Sequence, residues 1–117
     1  MTNIPILSQL ENYLSITGKR ETVLASNVAN VDTPGYHTRD INFQHELNRA
    51  FASAGTSQTS PVQVNTVSGL MERPDGNNVD MDRESVLLSE AQLQYQVGTQ
   101  LMKSHFHQLM SAINGDK

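Results

Sequence analysis

Four histidines and one oxygen-rich run are the places where this sequence could do chemistry. His105 and His107 form a His-x-His pair, and His37 and His45 stand apart from it. On a helix, side chains two residues apart point about 200° away from each other, so His105 and His107 cannot close on one metal ion. No third ligand lies at a useful spacing. Asp75-Gly76-Asn77-Asn78-Val79-Asp80-Met81-Asp82 has the carboxylates and carboxamides of a calcium loop. Its register fails as an EF-hand: Val79 falls at the fifth position, Asp80 takes the place of the required Gly, and Val86 stands where a bidentate Glu belongs. These residues read instead as the start of a helix. A metal-dependent enzyme using His105 or His107 with Asp80 and Asp82 is the catalytic alternative, and the spacing gives it little. There is neither a Gly-rich phosphate loop nor a nucleophile elbow, and residues 53–60 read as solvated loop. The expectation is a chain with no metal, no cofactor and no catalytic residues.

A second polar group suits a fixed junction better than a reaction. It is Asn27-Val28-Ala29-Asn30-Val31-Asp32-Thr33-Pro34-Gly35-Tyr36. Pro34 and Gly35 fit the two central positions of a type II turn. Thr33 precedes a proline and is pushed out of the α region, so the helix before it should end near Val31 or Asp32. Asn27 and Asn30 lie three residues apart on its last turns, where carboxamides can bond freed carbonyls or a neighbouring chain. Tyr36 adds an aromatic body with a polar tip.

Two long helices must hold this junction. Residues 5–31 read as one, with Asn3 as N-cap, Pro5 in the first turn and a seam of Leu7, Leu10, Leu14, Thr17, Glu21, Leu24, Val28 and Val31. Gly18 weakens its middle by ~1 kcal/mol relative to Ala and marks a bend or a close helix contact. The second runs from Met81 to Ala112 or Asn114, with Asp80 as N-cap and Asn114-Gly115 as the stop. Its seam is Met81, Glu84, Leu88, Ala91, Tyr95, Gly98, Met102, His105, Leu109 and Ala112. Val86, Leu87, Leu101, Phe106 and Ile113 spread beyond that seam, so the apolar surface is wider than one antiparallel partner covers. Between the long helices, Asp40 caps a short helix from Ile41 to Ser53, with Phe43, Leu47, Ala50 and Phe51 on one face and Gly55 as its stop. Residues 56–61 form a polar loop. Residues 62–67 read as a strand that can turn at Ser68-Gly69 toward a second strand at 70–72. The fold class is mainly α: two long terminal helices paired as a coiled-coil-like unit, with a short helix and a loop or β-hairpin between them. The expected units are 1–36, 37–79 and 80–117.

Composition narrows the partners. The chain has 117 residues, 37% of them hydrophobic and 5% aromatic, with no Trp. That supports a small core, or one completed against other chains. Cysteine is absent, which removes disulfides and thiol chemistry. A net charge of -4 without basic runs argues against nucleic acid. No apolar run reaches the ~20 residues of a membrane span. No basic region followed by an apolar one opens the chain, so it stays in the cytoplasm or leaves without a cleaved signal. Met102 and Met110, with Leu101, Phe106 and Leu109, form a soft apolar surface suited to a protein partner. A cytoplasmic helical adaptor or export chaperone is compatible with these observations too.

The junction resembles a known signature. Asn27, Ala29, Asn30, Thr33, Pro34, Gly35 and Tyr36 match the pattern Asn-x-Ala-Asn-x-x-Thr-Pro/x-Gly-Tyr of bacterial flagellar axial proteins, those of rod and hook. Arg39-Asp40-Ile41-Asn42-Phe43 with Leu47, and Asp75 to Glu84, are similar to the continuation in the short proximal rod proteins. The resemblance implies a structural subunit that is no enzyme and has no cofactor or small-molecule substrate. It implies passage unfolded through the flagellar export gate without a cleaved signal, and assembly in the periplasm. The terminal helices would pack into the inner layer of a tube that transmits torque and encloses the export channel. The implied partners are copies of itself, the rod proteins FlgC, FlgF and FlgG, the adaptor FliE, and proteins of the MS ring and export gate. FlgC is the nearest alternative identity within the family. Leu7, Leu10, Leu14, Leu24, Val28, Leu88, Tyr95, Leu101, Met102, Leu109 and Ile113 are expected to pack within and between subunits.

Overall fold

Two helices of unequal length set the shape. In chain order the elements are α1 (Pro5–Ala29), β1 (Arg39–Asp40), α2 (Phe43–Ala52), β2 (Asn65–Thr66) and α3 (Met81–Ile113). The computed structural model describes residues 5–53 and 61–115. The expected Asn3 cap, the Gly55 stop and most of the polar loop at 56–61 lie outside these. Asn27 meets Glu84, Gly18 lies under Tyr95, and Gly98 lies against Leu14 and Tyr13, so α1 and α3 run antiparallel. The molecule measures 65 × 30 × 17 Å, with a radius of gyration of 18.1 Å. A compact 100-residue domain would have about 13 Å.

The expected seams face each other. Leu10, Leu24 and Ala91 are buried among them, together with Thr17 and Glu84. Small residues on α3 let α1 come close. A Cβ on Gly98 would stand 2.8 Å from Leu14 Cδ2 and 3.0 Å from Tyr13 Cδ1. The Tyr13 ring has little freedom to withdraw, because it packs edge-on against Phe43 of α2, with centroids 5.4 Å apart. The same burial raises the Tyr13 phenol pKa. Gly18 is different: α1 is continuous through it, and a Cβ there would meet Tyr95 at an ordinary 3.5 Å.

Three boundaries differ from the sequence reading. α1 ends at Ala29, and the next residues tighten into a turn, with Val31 N–H donating to Val28 O and Thr33 N–H to Asn30 O. α2 begins at Phe43, capped by Asn42, whose side chain accepts from His45 N–H at 3.0 Å. Asp40 does not serve as that cap because two arginines engage its carboxylate. The 62–67 segment does contribute a strand, but it does not form a hairpin with 70–72. β2 pairs antiparallel with β1, Arg39 opposite Thr66 and Asp40 opposite Asn65. Alternation marks a strand but not its partner. The partner here is the extended segment leaving the Pro-Gly turn, where Val67 N–H also donates to Thr38 O at 2.9 Å.

Gly98→Val should therefore lower the melting temperature by several degrees, since neither Tyr13 nor the backbone can yield. Gly18→Ala should raise it by a few degrees, from up to ~1 kcal/mol of helix propensity without a clash. Thermal unfolding by circular dichroism checks both; equal effects of the two changes would contradict this packing.

Candidate functional site

The junction and the oxygen-rich run, far apart in sequence, form a single clasp. The Pro34-Gly35 turn has the expected geometry: Gly35 has φ 76°, and Tyr36 N–H donates to Thr33 O at 3.2 Å. Across from it Gly76, with φ 87°, comes so close that a Cβ would lie 3.3 Å from Gly35 Cα. Gly35 N–H donates to Asp75 O at 2.9 Å. Glycine is required on both sides, by positive φ at each and by contact at Gly76.

Two asparagines from the run close the end of α1. Asn77 is fully buried, and its Nδ2 donates to Asn30 O at 2.9 Å and to Thr33 O at 2.8 Å. Its Oδ1 accepts from Val79 N–H at 2.8 Å, which aims the amide. Arg73 donates through Nη2 to Val31 O. Asn78 Oδ1 accepts from Thr38 N–H at 2.7 Å and from Thr38 Oγ1 at 2.9 Å, while Asn78 N–H donates to Tyr36 O. A helix end leaves its last carbonyls without partners. Here segments from more than 40 residues away supply them, while Asn30 Nδ2 supplies one locally, to Ser26 O.

Asn27 sits at the centre and uses every hydrogen-bonding position of its amide. Nδ2 donates to Glu84 Oε1 at 2.7 Å and to Arg39 O at 2.8 Å. Oδ1 accepts from Arg39 N–H at 3.1 Å and from the Tyr36 hydroxyl at 3.0 Å. The side chain thus mimics a strand partner for the Arg39 peptide and anchors α3 through Glu84. The Glu84 carboxylate is fully buried, and Arg83 Nη1 covers its other oxygen at 2.5 Å. Arg83 also approaches Asp40 at 3.8 Å. Arg20 of α1 grips Asp40 through Nε at 3.0 Å and Nη2 at 3.1 Å, and reaches Glu90 of α3 at 3.5 Å. The hydrogen bond to Asp40 raises the Arg20 pKa, with burial opposing it. Arg20 is therefore a permanent cation at working pH. Acid and base alternate from Glu90 through Arg20, Asp40 and Arg83 to Glu84.

The side-chain oxygens of Asp75, Asn77, Asn78 and Asp80 are thus turned toward protein. Asp75 accepts from Asn77 N–H at 2.9 Å, and Asp80 caps α3 by accepting from Asp82 and Arg83 N–H. His37 pairs with Glu72 at 3.1 Å, His105 lies half-buried on the seam, and His107 is exposed. Among the described residues, no three His, Cys, Asp or Glu side chains come together in a group that could hold a metal ion, and no helix is long and apolar enough to cross a membrane. Of the signature residues, Asn27, Asn30, Thr33, Pro34, Gly35 and Tyr36 build the turn and its contacts, whereas Ala29 is exposed on α1. Sequence reasoning did not single out Asn77, Asn78, Thr38 or Glu84 as their partners. A Glu on a largely apolar seam was the available signal.

The α1 half of the clasp lies within a recognised signature. Residues 19–37, from the middle of α1 through the Pro-Gly turn, match the family model described as flagella basal body rod protein. Comparison over nearly the whole chain narrows this class. The chain is 32% identical to FlgB of Salmonella typhimurium over 125 residues, covering 90% of each. It is 36% identical to FlgB of Aeromonas hydrophila over 89% of each chain, and 30% identical to FlgB of Bacillus subtilis over 95% of each. The chain belongs to the FlgB family of flagellar basal body rod proteins. It is a structural subunit of the rod, located in the basal body, where it assembles with other rod and basal-body proteins.

Asn77→Ala frees two carbonyls inside the clasp and should cost about 1–3 kcal/mol. Asn27→Ala strands Glu84, Arg39 and Tyr36 together and should cost more. Denaturant unfolding gives the magnitudes, and amide hydrogen exchange gives the place: Gly35, Tyr36 and Asn78 should lose protection first in Asn77→Ala. Unchanged protection there would contradict the clasp.

Proposed function

We propose that this subunit polymerises through α1 and α3 into the wall of the rod, forming the shaft that transmits torque and encloses the export channel. The observation that carries this reading is the apolar surface α3 leaves uncovered, including Leu101, Phe106, Met110 and Ile113. Large apolar side chains exposed in this number on one helix support contact with other proteins. Of the expected packing residues, Leu10 and Leu24 are buried inside the chain and hold its own helix pair. Leu7, Leu14, Val28, Leu88, Met102 and Leu109 are half-buried, and Tyr95, Leu101 and Ile113 are exposed. On this reading the exposed and half-buried ones complete their burial between subunits.

Residues 1–36 and 80–117 would form the inner layer and 37–79 the outer one, with the Pro-Gly turn setting the angle between them. The neighbours would be further copies, FlgC, FlgF and FlgG along the shaft, and FliE and the MS-ring and export-gate proteins at its base. The subunit would reach the periplasm through the flagellar export gate without a cleaved signal.

Electron cryotomography of cells lacking this chain should reveal an MS ring and export apparatus with no rod crossing the periplasm. Normal rods would overturn the proposal. Leu101→Asp lies on an exposed position, so the purified chain should keep its stability within about 0.5 kcal/mol while rods fail to assemble. Gly35→Val imposes a β-branched side chain on a φ of 76° and should abolish swimming.

A further inference from the structure

We infer that Asn114-Gly115, at the end of α3, is a site of spontaneous deamidation, and that the clasp holds the chain's other pair of this kind, Asp75-Gly76, inert. An Asn or Asp followed by Gly is the arrangement in which a chain most readily attacks its own side chain, because glycine leaves the attacking nitrogen unhindered. The sequence contains these two such pairs. At Asn114 the reaction begins when hydroxide takes the Gly115 amide proton. The Gly115 nitrogen then bonds to Asn114 Cγ, and the side-chain nitrogen leaves as ammonia. The five-membered succinimide that results takes up one water. Opening at one carbonyl gives aspartate. Opening at the other gives isoaspartate, in which the main chain runs through the former side chain. Water is the only co-reactant, and nothing is oxidised or reduced.

Exposure does not separate the two pairs, since Asn114 and Asp75 are both exposed. What separates them is the backbone each would have to move. Attack needs a turn about ψ of the first residue, which brings the next nitrogen to its side-chain carbon. Asn114 is the C-cap of α3, with ψ 1°. Turning it breaks the bond from Gly115 N–H to Ala112 O, which at 3.3 Å is already long. The bond from Asn114 N–H to Met110 O lies before that rotation and survives it. Helix ends open at little cost. At Asp75 the same turn takes the clasp apart. Gly76 N–H donates to Arg73 O at 2.8 Å, and Asp75 O accepts from Gly35 N–H at 2.9 Å. The Asp75 carboxylate accepts from Asn77 N–H at 2.9 Å. Gly76 is also set against Gly35, with φ 87°. The attacking nitrogen is fastened, and its target is held by a different amide. Deamidation at Asn114 adds one negative charge to the net -4, at the helix end whose dipole is already negative. Isoaspartate also lengthens the main chain at the cap. The chain therefore ages from the end of α3 while the clasp stays intact.

The test gives both pairs the same chemistry. Full-length Asp75→Asn keeps a side-chain oxygen that can accept from Asn77 N–H, and it carries an amide at both positions. The purified variant is held at mildly alkaline pH with and without denaturant. Peptide mass spectrometry follows the mass gained as each amide becomes an acid. In buffer Asn114 should convert, faster as pH rises, while position 75 lags roughly tenfold or more, because each opening there breaks several hydrogen bonds. In denaturant the two should convert at similar rates. Equal rates in buffer overturn the shielding, and an unchanged Asn114 overturns the site. The native chain, whose clasp is unaltered, gives a second measurement. Enzymatic methylation of isoaspartate, read peptide by peptide, should report position 75 in denaturant and not in buffer; isoaspartate there in buffer also overturns the shielding. Gly115→Ala hinders the nitrogen and should slow the loss of Asn114 several-fold without lowering the melting temperature. An unchanged rate would overturn attack by the Gly115 nitrogen.

Discussion

The contact on which the rest of the structure depends is the buried hydrogen bond between Asn27 and Glu84. A carboxylate removed from water is tolerated only when its lone pairs are matched by donors. Asn27 and Arg83 provide them from opposite sides. The remaining positions of the Asn27 amide are taken by Arg39 and Tyr36, so satisfying one group fixes the end of α1, the strand after the turn and the start of α3 together. Along α1 and α3 the register is marked by Gly98, which lies against Leu14 and Tyr13 where a larger residue would clash. The Asn27–Glu84 pair fixes the same register at the other end, because a shift leaves a buried polar group without a partner.

The buried set reflects this arrangement. Leu10, Ile16, Leu24, Ile41, Val79 and Ala91 form the apolar part, and Thr17, Asn27, Thr38, Glu46, Asn77, Asn78 and Glu84 the polar part. Even Glu46 on α2 is held, by Arg49 at 2.6 Å, and Arg49 in turn bonds the returning chain at Pro61 O. Cohesion thus lies in directional contacts near the clasp, while the far ends of the long helices have mainly one another. This matches a subunit whose terminal helices present apolar faces outward.

Much of this was legible in the sequence because local physics decides it. Helix seams, the Asp80 cap, the Asn114-Gly115 stop and the type II turn depend on residues within a few positions of one another. What was not legible depends on pairing at long range. Nothing in Val62 to Val67 says that its strand partner lies before α2 instead of after Gly69. Asp40 has the composition of a helix cap, and only the arrival of Arg20 and Arg83 withdraws it from that role. Asn77 and Asn78 look like ordinary loop residues until the carbonyls they satisfy are brought opposite them. The resemblance marked the two halves of the clasp as meaningful without revealing that they touch.

The separation of those halves sets an order of events. Asn27 and Glu84 are 57 residues apart, and Asn77 reaches back 47 and 44 residues to Asn30 and Thr33. Wherever the chain is delivered with its N-terminus leading, α1 arrives first but cannot complete its end, because the donors and acceptors it needs are still to come. Closing a loop of that length carries an entropic cost that is met before the clasp's own contacts form, and contacts distant in sequence slow folding. A chain delivered in that order would stay pliant until the start of α3 emerges and the clasp can close. The clasp acts as a clock as well as a joint.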